Sequence, residues 1–338
     1  MTARRLMAAA IAFALCGANA ATAQQEMFKG KTIRLSSGVS PGGGFDLITR
    51  LFADFVGKHI PGNPTVIADN RPGAGGRVLA NWLYSVAAKD GTQIGMVGPW
   101  TVLEPLWGTQ GAQFDASKFN WIVNANREAS SCVFWKGRGV ENFEDMRRRE
   151  ITVGSNVPTS NMTQDAMALN SMLGTKIKIV QGYKGTHDVI LAAERGEVDG
   201  ACGVWTSSAT SAFAGPIQNG SLKVAVQLGL QDHPDFAGVY NPVTKVTSEE
   251  DKQSMKLIFG QLEIARPFAL PPDVSPEIVA IMRKAFWDVL QDPVFIATAK
   301  QRGFEFRPEQ GEKIQAFVAD MYATPAPVVQ RVKAILGY

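Results

Sequence analysis

An α/β protein of two lobes is what this chain predicts. Three observations point there: β-favouring runs alternate with amphipathic helical stretches, the alternation starts afresh near Ile151, and 338 residues are enough for about two domains. Hydrophobic residues make up 45% of the chain and charged ones 19%, so it can bury a core and does not have the composition of a disordered protein. The formal charge of +3 is small and evenly spread, which argues against a nucleic-acid binder. No apolar run reaches the roughly 18 residues that a membrane span needs.

The elements follow in order. A short β-favouring segment, Thr32 to Ser36, runs into Ser40-Pro41-Gly42-Gly43-Gly44-Phe45-Asp46, and Leu47, Ile48, Leu51, Phe52, Phe55 and Val56 then recur at helical spacing. Pro61, Gly62 and Pro64 end that helix. A second strand reads Thr65 to Ala68, Arg71-Pro72-Gly73-Ala74-Gly75-Gly76 opens a helix through Tyr84, and Gln93 to Val97 makes a third strand. Such βαβαβ order predicts a parallel sheet with right-handed crossovers. The second series has strands at Ile151–Gly154, Lys176–Val180 and Val198–Cys202, with helices at Asn161–Leu173 and Gly185–Arg195 between them. Beyond Leu222 to Gln227 comes a loop-rich stretch, Asp232 to Asp251. Helices at about Pro276–Gln291, Asp292–Arg302 and Gly311–Ala334 then close the chain and can pack back on the first lobe.

The N-terminus is set apart. Arg4 and Arg5, the apolar stretch Leu6 to Cys16 and the small-residue patterns Ala18-Asn19-Ala20 and Ala21-Thr22-Ala23 predict a secretory signal peptide over residues 1–23. Cleavage after Ala23 removes Cys16 and lowers the charge to about +1. Cys132 and Cys202 remain for an oxidising compartment. A disulfide between them, closing a loop of about 70 residues, and a pair of buried free thiols are equally compatible with the sequence.

The glycine loops are the most informative local feature. Glycines between a strand end and a helix start let a ligand approach the backbone, and the N–H groups and dipole at the helix start favour an anion such as a carboxylate. Gly42 to Gly44 is one such loop and Arg71 to Gly76, with Ala74 within it, the next. Two of them at one sheet edge fit the rule that open α/β sheets bind ligands at the carboxyl ends of their strands. Trp100 and Trp205 follow strand ends where pocket walls would lie. Asp46 is placed either to receive a ligand amine or hydroxyl or simply as first-turn charge.

Other chemistries fit poorly. Neither loop has the spacing of a dinucleotide fingerprint or a P-loop, and no cofactor is expected. His59, His187 and His233 lack metal-ligand spacing. Gly38-Val39-Ser40-Pro41-Gly42 matches the letters of a nucleophile elbow, but Pro41 has no N–H for an oxyanion hole. His187 beside Asp188 with Ser155 is a weak triad, so no enzyme is expected. Arg147, Arg148 and Arg149 read as a solvated face.

Taken together, Lys31-Thr32-Ile33-Arg34-Leu35, Pro41-Gly42-Gly43-Gly44-x-Asp46, Asn70-Arg71-Pro72-Gly73-Ala74-Gly75-Gly76, Gly182-Tyr183-Lys184-Gly185, Gly196-Glu197-Val198-Asp199, Pro271-Pro272 and Asp292-Pro293 resemble the periplasmic solute receptors of tripartite tricarboxylate transporters, the Bug family. The resemblance covers nearly the whole mature chain. It implies a Venus-flytrap periplasmic-binding-protein fold, each lobe a mostly parallel sheet flanked by helices. Residues 24–124 plus 229–338 would form lobe 1 and 125–228 lobe 2. It implies a monomer that captures a small organic carboxylate between its lobes and delivers it to integral membrane permease subunits, with no nucleic-acid partner.

The matching site residues are Ser40, Gly42, Gly43, Gly44, Phe45 and Asp46 in the first lobe, with Ala74 and Trp100 beside them. In the second they are Ser155, Asn156, Thr159, Ser160, Asn161, Gly185 and Thr186, with Trp205 nearby. The loop Ser155–Asn161 departs from the glycine- and serine-rich loop usual in the family, and an aromatic, Trp205, follows the Gly196–Asp199 segment; both open the ligand range to a bulky or aromatic acid. A sensory module presenting a carboxylate to a membrane kinase is the second reading, and a secreted hydrolase using Ser40 or Ser155 with His187 the third.

Overall fold

The computed structural model describes residues 27–338 apart from Thr159, so the expected signal peptide lies outside the described residues. In chain order the strands are β1 (Thr32–Ser37), β2 (Thr65–Asn70), β3 (Gln93–Met96), β4 (Asn120–Asn124), β5 (Ser130–Trp135), β6 (Ile151–Gly154), β7 (Ile177–Val180), β8 (Gly200–Ala201), β9 (Leu222–Leu228), β10 (Pro267–Leu270) and β11 (Glu309–Gln310). The longer helices are α1 (Gly44–Val56), α2 (Arg77–Ser85), α3 (Phe143–Arg148), α4 (Asn161–Leu173), α5 (Thr186–Arg195), α6 (Glu249–Phe259), α7 (Pro276–Gln291), α8 (Pro293–Gln301), α9 (Gly311–Tyr322) and α10 (Ala326–Leu336). Among the described residues no helix is long and apolar enough to cross a membrane.

By its internal contacts the chain divides into two compact units. The first comprises residues up to Thr101, Gly111–Ala125 and Arg266–Gln315; the second comprises Val102–Gln110, Asn126–Ala265 and Ala316–Tyr338. The stretch 229–338, assigned from sequence to lobe 1, is therefore shared: only 266–315 falls in the first unit.

The first unit is built on a six-stranded sheet of order β11-β4-β10-β3-β1-β2. β1 runs parallel to β2, Thr32 opposite Thr65 through Ser37 opposite Asn70, and parallel to β3 on its other side. α1 forms because Phe45, Ile48, Leu51, Phe52 and Val56 share one helical face, and that face is buried. Phe52 is the centre of the core, its ring 4.8 Å from Phe268, 5.6 Å from Phe286 and 5.1 Å from Phe295. Burying such a ring is worth about 1.5–3 kcal/mol.

The second unit holds a five-stranded sheet, β7-β6-β8-β5-β9, with β6 parallel to β7 and β8. Its core gathers Val133, Met162, Val189, Ala192, Ala193, Val198 and Val204.

In both sheets most strands run in one direction, as the resemblance implied, with antiparallel members among them. β10 and β11 enter the first sheet antiparallel, and β5 pairs antiparallel with both β8 and β9 in the second. The consecutive βαβ crossovers make parallel neighbours, and the antiparallel β5, β10 and β11 make both sheets mixed. The stretch read as one helix from Gly311 to Ala334 is two, because Pro325 is disfavoured within a helix and instead precedes the start of α10.

Candidate ligand site

In the first unit the two glycine loops emerge side by side from the carboxyl ends of β1 and β2. α1 begins after Gly43, which is extended and carries no capping side chain. Gly42, Gly43 and Gly44 are exposed, and a Cβ added at any of them would meet nothing within 4 Å. The first-turn N–H groups of a thirteen-residue helix therefore open through a glycine segment without a side-chain acceptor. Ser40 is exposed on the same loop.

Asp46 faces the other way. It is 2% exposed and accepts the Gly42 N–H at 2.8 Å, Arg50 Nε at 3.0 Å and Asn70 Nδ2 at 2.8 Å. Asn70 also donates to the Val39 carbonyl at 3.0 Å and accepts from Arg50. Burial alone would raise the Asp46 pKa, but the Arg50, Gly42 and Asn70 hydrogen bonds outweigh it and hold the carboxyl below the ordinary value. Of the two roles the sequence leaves open for Asp46, these contacts favour the internal one: its oxygens accept from the loop, Arg50 and Asn70, so it braces the loop.

The second glycine loop presses on the first. A Cβ at Gly38 would lie 3.1 Å from Gly76 Cα, so the close approach favours glycine at 38, while Gly76 is held at φ +101°, a conformation that favours glycine. Ala74 is exposed and held at φ +46°, a left-handed conformation uncommon for a residue with a Cβ. Trp100 Nε1 donates to the Gly75 carbonyl at 2.5 Å, and its ring meets that of Phe45 edge-on at 5.2 Å. The Arg266 guanidinium lies 4.4 Å from the centre of the Phe45 ring. Thus Gly42–Asp46, Ala74 and Trp100 come together in one unit. Arg266, an arginine near a predicted crossover, joins them; Arg50 and Asn70 join them unforeseen, although the Asp46–Arg50 spacing of four on a helix was a readable sign of pairing. Arg127 pairs with Glu263 at 3.9 Å.

The second unit treats its loop differently. Ser155 is fully buried, its hydroxyl 2.6 Å from Thr163 Oγ1 and 3.3 Å from Ser160 Oγ. Ser160 caps α4 by accepting the Thr163 N–H, Asn156 Oδ1 accepts the Val157 N–H, and Asn161 Nδ2 donates to the Gly203 carbonyl at 2.7 Å. Thr159 lies outside the described residues. At α5 the pattern of the first unit returns: Gly185 precedes the helix in extended backbone, without a capping side chain and with open space at its Cβ position. Thr186 Oγ1 lies 3.7 Å from Met162 Sδ. Trp205 is half-buried and precedes the short helix Thr206–Ala209.

A disulfide joins Cys132 on β5 to Cys202, which settles the alternative left open by the sequence. It fastens the segment that carries Gly203, where a Cβ would come within 2.6 Å of Met162 Cα at the start of α4. Behind it Asp165 is buried and accepts the Ser130 hydroxyl, and burial pushes its pKa up to about 7.

The Ser155 hydroxyl is engaged by Thr163 and Ser160, while the His187 ring stacks on Phe213 at 6.3 Å. No cluster of His, Cys, Asp and Glu among the described residues is suited to a metal ion.

Two α/β units, each with an uncapped, glycine-led helix start at the carboxyl ends of its strands, make up a binding protein of the periplasmic type. The model of the tripartite tricarboxylate transporter family receptor, TctC, matches residues 48–334, and the chain belongs to that family of solute-binding receptors. A relative from Cupriavidus necator, the UPF0065 protein in gbd 5'region, is 25% identical over 97% of this chain and 96% of its own length. A TctC solute-binding protein from Polaromonas, solved without ligand, shares the fold with a TM-score of 0.70 and 19% identity, covering 89% of this chain and 98% of that one. R. palustris Rpa4515, solved with adipate, has a TM-score of 0.61 and 16% identity over 90% of this chain and 97% of that one.

Proposed function

We propose that this receptor works outside the cytoplasm, captures a small organic carboxylate through its uncapped helix starts, and delivers it to the permease subunits of a tripartite tricarboxylate-type transporter. The observation that carries this reading is the start of α1, where exposed Gly42, Gly43 and Gly44 leave the N–H groups open while Asp46, Arg50 and Asn70 brace the loop from within. A carboxylate there gains charge-assisted hydrogen bonds and the helix dipole without displacing a protein side chain. Gly185 and Thr186 at α5 offer the same chemistry on the second unit. Adipate in the R. palustris relative supports the ligand class. The signal-peptide pattern over residues 1–23 supports export to the periplasm.

A thermal-shift panel of mono-, di- and tricarboxylates, amino acids and sugars tests the reading, since a ligand of the folded state raises Tm by mass action. Shifts confined to carboxylates are expected. Shifts with sugars alone, or none at all, would remove its chemical basis.

A further inference from the structure

Trp100 is held in place without being covered. Its Nε1–H is committed to the Gly75 carbonyl, its ring is met edge-on by Phe45, and its six-membered ring backs onto Gly98, where an added Cβ would lie 2.7 Å from Cε2 and 2.8 Å from Cζ2. The glycine at 98 is what gives the indole room. Despite these restraints the side chain remains 37% exposed. Leaving a large aromatic surface in water forgoes its burial energy, and an indole already fixed in one orientation has lost rotamer freedom before any ligand arrives. With its only polar atom used, what it offers is a flat apolar face.

That face stands beside the open start of α1. Phe45, whose ring centre lies 5.2 Å from that of Trp100, is the second residue of the helix that follows the Gly42–Gly44 loop, so a single ring contact links the indole to the open N–H groups at the helix start. The Phe45 ring is itself engaged by the Arg266 guanidinium, which leaves Trp100 as the aromatic surface on offer.

We propose that this site selects aromatic carboxylates, with the carboxylate at the start of α1 and the ring of the ligand against Trp100. The inference rests on the receptor reading above and narrows it from carboxylates in general to acids with a flat π body. Ring stacking contributes beyond area burial by an amount equivalent to roughly two- to tenfold in affinity. A compact hydroxy-acid such as malate gains nothing from the indole.

The test is isothermal titration of the purified protein with benzoate, phenylacetate, cyclohexanecarboxylate, adipate and malate, repeated with Trp100→Ala and Trp100→Phe. The aromatic acids should bind about tenfold more tightly than malate and several-fold more tightly than cyclohexanecarboxylate, which matches benzoate in size but is not flat. Trp100→Ala should remove that preference, bringing benzoate and cyclohexanecarboxylate to within about twofold of each other, while the melt stays cooperative; Trp100→Phe should keep most of it. Should Trp100→Ala fail to fold, the ranking of benzoate against cyclohexanecarboxylate in the parent protein still decides. Adipate or malate binding with no aromatic preference, or a preference unchanged in Trp100→Ala, overturns this inference and leaves the receptor reading standing. Failure of every acid to bind overturns both.

Discussion

The start of α1 in the first unit and the start of α4 in the second occupy equivalent places, each after the first strand of a βαβ series, yet they are kept in shape by opposite means. Ahead of α1 the loop has glycines on its outer side and a buried ionic network on its inner side: Asp46 gathers Gly42, Arg50 and Asn70. Ahead of α4 the loop has hydroxyls, and two of them are spent locally, Ser155 on Thr163 and Ser160 on the Thr163 N–H. The lesson concerns what a polar loop is for. A serine- and asparagine-rich loop looks more ligand-like on paper than a run of glycines, but its side chains satisfy its own helix start, whereas the glycines leave theirs for something else. In the second unit the uncapped helix start is that of α5, where Gly185 again provides no cap.

The largest expected effect breaks the second unit's half of the comparison. Replacing both Cys132 and Cys202 with Ala should cost about 2–5 kcal/mol in a denaturant titration, because their bond closes a 70-residue separation in the unfolded chain. Hydrogen exchange should quicken in residues 200–207 and at the start of α4, which Gly203 and Asn161 tie together, with little change around Gly42. Equal quickening in both units would show that the disulfide is not local to the second.

Next comes the first unit's brace. Asp46→Asn should lose about 1.5–3 kcal/mol, as expected for charge-assisted bonds in a buried site, and weaken carboxylate binding at the loop it holds. The Asp46 pKa is lowered on folding, so its stabilisation is complete above the ordinary carboxylate value of 3.8 and fades as pH falls through and below it. Melting of the parent and the variant should therefore converge in acid; a constant gap down to pH 2 would deny Asp46 that role.

Asp165 sharpens the contrast with the opposite sign. Its pKa rises from 3.8 unfolded to about 7 folded, so the unfolded chain gives up its proton first and stability falls between about pH 4 and pH 7. Asp165→Asn should be nearly neutral at pH 4 and stabilising by ~1–3 kcal/mol at pH 8, read from paired denaturant curves. A variant less stable than the parent at pH 8 would contradict the burial argument.

The smallest effect belongs to Ser155→Ala. Losing one internal hydroxyl contact should cost about 0.5–1.5 kcal/mol and leave carboxylate affinity unchanged. A large drop in affinity at constant stability would return Ser155 to the binding surface.

Much of this architecture was legible from spacing. Asn161–Leu173 and Pro276–Gln291 are helices with the bounds the pattern predicts, since each has a Ser cap just before it and a clear apolar face. β4, β5 and β10 were not seen, because Asn-Trp-Ile-Val-Asn, Ser-Ser-Cys-Val-Phe-Trp and Pro-Phe-Ala-Leu are short apolar runs whose pairing is decided by distant strands. α6 was missed for the opposite reason: its first turn, Glu249-Glu250-Asp251, is so acidic that it extended the apparent loop, although Ser248 caps it. At the site, residue type pointed to the glycine loops, but it could not tell an inward carboxylate from an outward one. The direction of Asp46 depends on Asn70, 24 residues away on the neighbouring strand.

Gly43 offers the most direct measurement. A Cβ there meets nothing, and the residue's backbone is extended, so Gly43→Val should fold normally and place its branches where a carboxylate would approach the start of α1. Titration calorimetry of parent and variant with benzoate and adipate should show binding weakened by at least about tenfold, or 1.4 kcal/mol, with cooperative melting retained. Unchanged affinity in a Gly43→Val protein that melts like its parent would contradict the account.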